Sequence, residues 1–294
     1  MAIMTESEFA TRLHRRKLKG HIFYGLCLFA ILIALGMLAA LLINVLSQGL
    51  MRLNWQFLTS FPSRFPEQAG IFAALMGSIY VILIAGILAF TLGVGAALYL
   101  EEYATRSKLA AIMQTNIANL AGVPSIVYGI LGLEIFVRYL ALGKSVLAGG
   151  LTLALLVLPI VIVASQEAIR AVPSSLREGG YALGATRWQV IWNLVLPYGF
   201  PGILTGVILA VSRALGETAP LIVMGALTFV PFAPDGPLSR FTVLPIQIFN
   251  WVSRPQEGFH VNAAAGIIVL LVLLLTMNAV AVYFRNRFQK RAEG

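Results

Sequence analysis

The feature that most constrains this chain is a series of long apolar stretches, separated by short polar segments. The 294 residues are 59% hydrophobic and 11% charged, with a mean hydropathy of +0.87. A stretch of about 20 apolar residues spans the hydrocarbon core of a bilayer, where the backbone must be helical because no water satisfies its polar groups. The sequence therefore predicts an all-α polytopic membrane protein with about six transmembrane helices, at residues 22–46, 71–100, 109–142, 146–168, 201–227 and 263–284.

Two of the apolar stretches depart from a simple span. The third is interrupted by the segment Gly122-Val123-Pro124-Ser125, where proline removes a helical hydrogen bond and disfavours helix at the preceding residue. Residues 243–251 are apolar and aromatic but too short to cross a bilayer. We expect this short segment to lie in the interface or to fold back on the helices.

The distribution of basic residues predicts the orientation of the chain. With six spans and a cytoplasmic N-terminus, the inner segments hold 14 Lys and Arg residues and the outer segments hold 6. Basic residues accumulate on the cytoplasmic side of membrane proteins. We therefore predict both termini and the loop at about residues 169–198 to be cytoplasmic. The chain divides into residues 1–70, with the first span, a core at 71–284 and a C-terminal tail at 285–294.

The remaining composition argues against several classes of function. The net charge of +9 comes from residues at the ends of apolar stretches rather than from a basic patch mixed with aromatics, so no nucleic-acid partner is predicted. Membrane lipid is the expected partner of the basic N-terminus. A single cysteine and three scattered histidines give no disulfide and no metal-ligand spacing; these residues are Cys27, His14, His21 and His260.

The chain also lacks the patterns of an enzyme. Gly143-Lys144-Ser145 is similar to the end of a phosphate-binding loop, but the first glycine of that motif would fall at Arg138. No catalytic constellation is found, since the only aspartate, Asp235, has no histidine near it in sequence. We predict that the chain is not an enzyme, holds no cofactor, and takes its energy from another chain.

The predicted cytoplasmic loop carries a long spaced motif. It reads Glu178-Gly179-Gly180, then Gly184 and, after nine residues, a segment that ends in Leu196-Pro197. This spacing resembles the EAA loop of the membrane subunits of ATP-binding-cassette (ABC) importers, with glycines where alanines are usual. The resemblance implies a type I importer permease core, MetI-like, whose loop docks on an ATPase. The residues it assigns to ATPase coupling are Arg177, Glu178, Gly179, Gly180, Ala182, Gly184, Leu196 and Pro197.

The fifth predicted span contains a pair of opposite charges. Arg213 and Glu217 are four residues apart and would share one face of a helix. Charges are costly in a bilayer, so such residues face a partner or an aqueous cavity. Arg213 could offer its guanidinium to an oxyanion in a translocation path while Glu217 holds it, with Gly216 and Pro220 loosening the helix. The alternative is a structural ion pair that neutralises itself.

Two further segments resemble one particular group within the importer permeases. The stretches from Arg213 to Pro220 and from Gly122 to Gly129 resemble the phosphate-specific permeases of the PstA type. That resemblance implies a phosphate importer in the bacterial inner membrane. Its implied partners are a homologous PstC-type permease, a PstB-type ATPase dimer that holds ATP and Mg²⁺, and a PstS-type phosphate-binding protein.

Other functions remain open at this level. Arg213 would suit sulfate, molybdate or phosphonate, because the guanidinium fork does not distinguish such anions well. A passive channel or a membrane-embedded enzyme would leave the cytoplasmic loop unexplained. A second pair, Glu134 and Arg138, is also four residues apart; we expect it to be structural rather than a substrate contact.

Overall fold

The computed structural model describes residues 6–104, 107–226 and 229–292. Within these ranges the chain is helical, with turns, loops and one isolated β-bridge between Ser145 and Arg240. The α-helices are α1 (Glu6–Gly49), α2 (Trp55–Thr59), α3 (Phe72–Leu98), α4 (Lys108–Ala121), α5 (Ser125–Gly132), α6 (Val146–Arg170), α7 (Ser174–Ala182), α8 (Arg187–Val190), α9 (Leu196–Gly216), α10 (Ala219–Val223), α11 (Leu244–Val252) and α12 (Glu257–Ala292). A 3₁₀ turn follows α1 at Leu50–Arg52, and π-helical turns extend α3 (Tyr99–Tyr103), extend α5 (Leu133–Tyr139) and join α8 to α9 (Ile191–Val195).

In the part of the chain that the structure describes, five helical stretches are long and apolar enough to cross a bilayer, and a bent pair of helices gives a sixth if it is counted as one span. The five are Lys19–Arg52, Phe72–Tyr103, Val146–Arg170, Arg187–Gly216 and Glu257–Arg287. The prediction of an all-α protein with about six spans is confirmed. α12 continues to Ala292, so most of the predicted C-terminal tail is the end of this helix.

The bent pair occupies the third predicted span. α4 and the α5 stretch meet at an angle of 103°, a much sharper change of direction than a kink. The cause is local, because Pro124 is extended (φ −55°, ψ 136°) and precedes the first residue of α5. The predicted break is therefore confirmed, but it separates two helices rather than bending one.

The fifth span differs from the prediction at both ends. One continuous helical stretch runs from Arg187 to Gly216, whereas the sequence pattern indicated 201–227. It begins early because Thr186 and Gln189 form a reciprocal capping box. It ends at Gly216, where Glu217 turns to an extended conformation (ψ 127°). Leu196 and Pro197, assigned to the loop, therefore lie inside this helical stretch.

The ends of the long helices define two ends of the bundle. At the first, which we call the α7 end, Glu101 after α3 contacts Arg170 at the end of α6. At the other, the α11 end, Arg52 after α1 donates hydrogen bonds to Asn262 of α12 and to the carbonyl oxygens of Pro66, Glu67 and Ala69. The chain thus passes between the two ends with each successive span.

Small residues allow the central helices to pack closely. A Cβ atom built on Gly93 of α3 would lie 2.6 Å from Val161 of α6, and one built on Gly206 of α9 would lie 2.4 Å from Ala164 of α6. Real Cβ atoms do not approach this closely, so α3, α6 and α9 are in direct backbone-to-side-chain contact. α11 folds back on the helices, as one of the two alternatives predicted, with Leu244 and Trp251 buried.

Candidate functional site

The predicted charged pair lies at the end of a helix. Arg213 is in the last turn of α9, and Glu217 follows the helix. Nε of Arg213 and Oε1 of Glu217 are 3.4 Å apart. A cation in the last turn interacts favourably with the negative end of the helix dipole. The expectation that the pair lies within a continuous helix is wrong, because Gly216 ends α9 instead of loosening it.

The pair leaves most of the Arg213 guanidinium unused. Among the residues that the structure describes, Arg213 donates to Glu217 through Nε alone, so its two terminal nitrogens have no protein acceptor. The Arg213 side chain is 55% exposed, whereas that of Glu217 is 18% exposed. Two adjacent terminal N–H groups match a tetrahedral oxyanion in bidentate geometry. The geometry therefore allows Arg213 to bind an anion without breaking its contact with Glu217.

The neighbours of Arg213 fix its direction. Ala214 and Leu215 are buried in the bundle, and Ser212 donates a hydrogen bond to the side-chain oxygen of Asn278 on α12. These contacts hold two faces of the last turn of α9 against the protein. Arg213 is thereby directed to the remaining, exposed face.

The depth of the pair follows from its neighbours. Glu217 lines a small cavity together with Ser78 and Leu153. These two residues follow the starts of α3 (Phe72) and α6 (Val146) by six and seven positions, which places the cavity about 10 Å inside the α11 end at 1.5 Å per residue. Although Glu217 follows α9, it therefore lies alongside the membrane-spanning parts of α3 and α6, where a charge needs a partner.

The two segments that narrowed the sequence resemblance meet in space. A Cβ atom built on Gly129 of α5 would lie 2.6 Å from Cα of Pro220 in α10. The chain after Arg213 and Glu217 therefore rests directly on the helix that follows Pro124. A glycine is required at 129 because the approach leaves no room for a side chain.

The residues assigned to ATPase coupling divide into two groups. Glu178, Gly179 and Ala182 of α7, and Gly184 after it, are exposed. Gly184 has φ +78° and ends α7 in a Schellman-type turn, with the N–H of Ala185 donating to the carbonyl of Gly180. We call the exposed face of α7, α8 and the turn between them the docking surface, after the docking role that the sequence resemblance implies; it consists of Glu178, Gly179, Tyr181, Ala182, Leu183, Gly184 and Trp188.

The other group faces the protein or lies in the helix that follows. A Cβ atom on Gly180 would lie 2.8 Å from Leu194 and 2.9 Å from Val190. The packing of α7 on the helix that follows therefore leaves room only for a glycine at this position. Arg177 is 21% exposed and pairs with Glu102. Within α9, Leu196 is half-buried and Pro197 exposed.

The docking surface is apolar as well as exposed. Leu183 is 90% exposed and Trp188 is 61% exposed, and the ring of Trp188 stacks on that of Trp192 at 5.6 Å. Exposed apolar patches of this kind mark interaction sites. The surface lies at the α7 end, at the far end of the α9 stretch from Arg213.

Sequence reasoning missed two acidic residues at the α7 end. Glu101 and Glu102 lie between the predicted spans 71–100 and 109–142, but both side chains turn into the bundle from the π-helical turn after α3. Glu101 contacts Arg170 at 2.7 Å, and Glu102 contacts Arg177 at 3.0 Å. The signal available in the sequence was charge: two acids in one predicted cytoplasmic segment and three arginines in the next.

Other candidates have ordinary structural roles. Glu134 and Arg138 form an exposed ion pair at 2.8 Å, and Ser145 caps the start of α6 by accepting from the N–H of Ala148. The described residues contain no group of three or more side chains that could hold a metal ion. His14 lies in the part of α1 whose side chains are outside the described residues.

Comparison with known protein families assigns the chain to a class. The family described as the binding-protein-dependent transport system inner membrane component matches residues 89–293, which include both the docking surface and the Arg213 pair. The chain therefore belongs to this family. It is a multi-pass inner-membrane component of an ABC transporter.

Individual members of the family are similar to this chain over most of its length. The chain is 32% identical to the phosphate transport system permease protein PstA 1 of Mycobacterium tuberculosis, over 92% of this chain and 90% of that protein. It is 31% identical to the phosphate transport system permease protein PstA of Pasteurella multocida, over 93% of this chain and 97% of that protein. It is also 32% identical to the probable ABC transporter permease protein YqgI of Bacillus subtilis, over 87% and 91%.

Solved structures share the fold. One match is to the structure of a bacterial alginate ABC transporter in complex with an alginate pentasaccharide-bound periplasmic protein. The match covers 95% of this chain and 99% of the matched chain, with a TM-score of 0.66 at 17% identity. A second match is to an inward-facing structure of the MetNI methionine ABC transporter; it covers 74% of this chain and 97% of the matched chain, with a TM-score of 0.60 at 14% identity. The predicted importer-permease fold is confirmed.

Proposed function

We propose that the chain is the PstA-type permease subunit of an ATP-driven importer of inorganic phosphate. The observation that carries this proposal is the similarity to phosphate permeases over more than 90% of the chain. The structure offers a group that can bind an anion, because the two terminal nitrogens of Arg213 lie on an exposed face and have no acceptor among the described residues. Phosphate oxygens accept hydrogen bonds from such a fork in bidentate geometry.

In this proposal Arg213 and Glu217 have complementary roles. Arg213 binds the passing phosphate through its terminal nitrogens, and Glu217 holds the guanidinium through Nε. When the path is empty, Glu217 offsets the charge of Arg213 at a depth where an unpaired cation is unfavourable. The pair thus stays in one place while anions bind and leave.

The docking surface is proposed to receive the ATPase. Its exposed residues include Glu178, Gly179, Ala182 and Gly184 of the motif and the apolar side chain of Leu183. Because the energy is supplied by a partner, ATP and Mg²⁺ are assigned to a PstB-type ATPase dimer, and this chain itself is not an enzyme. The docking surface must then be cytoplasmic, which also puts both termini in the cytoplasm.

Two further partners complete the proposed transporter. A PstC-type permease would contribute the other wall of the path that Arg213 faces. A PstS-type binding protein would deliver phosphate at the α11 end, on the opposite side of the membrane from the ATPase. The similarity to phosphate permeases supports the proposal of both partners.

The test is transport by the complete complex. The chain is reconstituted in liposomes with its sister permease, the ATPase and the binding protein, and ATP-dependent uptake of labelled phosphate is measured with sulfate or molybdate as competitors. We expect uptake of phosphate that excess sulfate does not inhibit. Uptake of sulfate or molybdate in place of phosphate would indicate another oxyanion importer, and uptake without ATP would indicate a passive channel.

The role of Arg213 is tested within the same assay. Arg213→Gln removes a charge-assisted contact that is worth about 1.5–3 kcal/mol, so uptake should fall by about 10- to 150-fold while the complex still assembles. Arg138→Gln is the matched control, since Arg138 is also exposed and paired with a glutamate four residues away. Equal effects of the two substitutions would remove Arg213 from the path.

A further inference from the structure

One ion pair joins α7 to a membrane-spanning helix. Glu102 lies in the π-helical turn after α3, and its side chain is 7% exposed. Arg177 of α7 reaches the same carboxylate oxygen, Oε1, with two nitrogens: Nη2 at 3.0 Å and Nε at 3.2 Å. Among the described residues, it is the one ion pair in which α7 takes part.

Arg177 also binds the end of α6. Its Nη2 donates to the carbonyl of Ile169 in the last turn of α6 at 2.8 Å, and its Nη1 donates to the carbonyl of Val172, two residues after α6, at 2.7 Å. The last carbonyls of a helix have no partner within it and carry its negative partial charge. One guanidinium therefore connects α7, the end of α3 and the end of α6.

The two helices that Arg177 connects are also tied to each other. Glu101 accepts hydrogen bonds from Arg170 at 2.7 Å and from Gln166 at 3.2 Å, and these contacts link α3 to α6 without α7. Closer to the middle of the bundle, Gly93 packs against Val161. α3 and α6 are therefore expected to move as one body.

A second contact supports the same junction. The guanidinium carbon of Arg187 in α8 lies 4.7 Å from the centre of the Tyr103 ring, in the π-helical turn that carries Glu102. This cation–π contact involves an exposed arginine and is weaker than a buried, hydrogen-bonded ion pair. The firm attachment of α7 to the end of α3 is therefore through Arg177.

We propose that the Arg177–Glu102 pair is the joint through which a displacement of α7 moves α3 and α6. This inference rests on the proposed function, in which the ATPase pushes on the docking surface. Arg177 is then a positioning residue that acts inside the permease rather than a contact with the ATPase. Without the joint, α7 would shift on the ends of the spans and ATP would be hydrolysed with less transport.

The experiment compares transport with hydrolysis in the reconstituted full complex. Glu102→Gln keeps the shape of the side chain and removes its charge, while Arg177→Lys keeps the charge but cannot reach Glu102 and both carbonyls at once. We expect phosphate transported per ATP to fall at least fivefold in both variants. Glu167→Gln, which removes an exposed ion pair with Arg170 at the same end, should keep the native ratio.

A distance measurement separates this role from simple loss of stability. Spin labels are placed at Leu92→Cys on α3 and Ser175→Cys on α7, both exposed and outside the docking surface, in a Cys27→Ser background because Cys27 is exposed as well. On addition of ATP, the distance between the two labels should stay constant in the protein that keeps the Arg177–Glu102 ion pair. It should change in the Glu102→Gln variant. If Arg177→Lys fails to assemble, Glu102→Gln alone decides.

Two results would overturn the inference: an unchanged ratio of transport to hydrolysis in an assembled Glu102→Gln complex, or a constant label distance in that variant. Failure of the proposed function would look different. In that case the complex with the native chain would not transport phosphate, or the ATPase would not bind it. The two failures are therefore distinguishable.

Discussion

Gly179 and Gly180 offer a sharp test because the same residue type has opposite surroundings at adjacent positions. A Cβ atom on Gly179 would meet nothing within 4 Å, whereas one on Gly180 would meet Leu194 at 2.8 Å and Val190 at 2.9 Å. If the docking surface binds the ATPase, a larger residue at 179 disturbs the partner. A larger residue at 180 disturbs this chain.

The magnitude for Gly180→Ala follows from two opposing effects. Replacing a helical glycine with alanine stabilises the helix by up to about 1 kcal/mol, while overpacking destabilises by about 1–3 kcal/mol. The net change is about 0–2 kcal/mol of local instability, since the stiff Val190 must move. Amide hydrogen exchange in α7 should therefore accelerate by up to about 30-fold.

Gly179→Leu should give the reverse pattern. The side chain extends from the exposed face of α7, so exchange in α7 stays at the native rate or slows. Binding of the ATPase subunit should weaken by at least about tenfold, or about 1.4 kcal/mol, as measured by titration of the detergent-solubilised permease pair. Native ATPase affinity in Gly179→Leu, with weakened affinity confined to Gly180→Ala, would refute the assignment of the docking surface.

Two other changes probe the α11 half of the bundle. Glu217→Gln should lower the maximal uptake rate without affecting assembly, because an unbalanced Arg213 holds the anion longer; an unchanged rate would leave Glu217 without a role in transport. Arg52→Ala should destabilise the chain by about 1–3 kcal/mol, because its guanidinium bonds Asn262 and three backbone carbonyls. Thermal unfolding of the complex measures this effect, and Arg64→Ala is the control because Arg64 is an exposed arginine of the same connector. Equal shifts of the unfolding temperature in the two variants would contradict the stabilising role of Arg52.

The spans were predictable because their cause is local. A run of apolar residues longer than the hydrocarbon core must be helical whatever surrounds it. Helix ends were less well predicted, although some signals were present in the sequence. Thr186 and Gln189 have the spacing of a capping box, which places the start of the fifth span at Arg187 rather than near Pro201.

The orientation of individual side chains could not be predicted in this way. The motif treats Gly179 and Gly180 alike, and only the packing of α7 on the following helix shows that Gly180 faces inward. Glu102 and Arg177 are 75 positions apart, so their contact depends on how α3 and α6 pack. The charged pair at Arg213 was found because its two members are close in sequence.

The route by which a push at α7 reaches Arg213 can be argued from helix continuity. The stretch Arg187–Gly216 is 30 residues long, or about 45 Å, and connects the docking surface directly to Arg213. Its first part is weakened by the π-helical turn Ile191–Val195 and by Pro201 inside the helix, which each interrupt the regular hydrogen bonds. The route through Arg177 also begins at a π-helical turn, Tyr99–Tyr103, and α6 contains Pro159. By contrast, α3 runs from Phe72 to Leu98 without a proline.

This comparison of stiffness predicts a rescue. Pro201→Ala restores a helical hydrogen bond and stiffens α9, so in the Glu102→Gln background it should raise the ratio of phosphate transported to ATP hydrolysed. In the native background it should have little effect, because the joint already transmits the displacement. The ratio is measured for the two single variants and the double variant. A double variant no better than Glu102→Gln alone would show that α9 does not share the displacement, and the route through α9 would have to be abandoned.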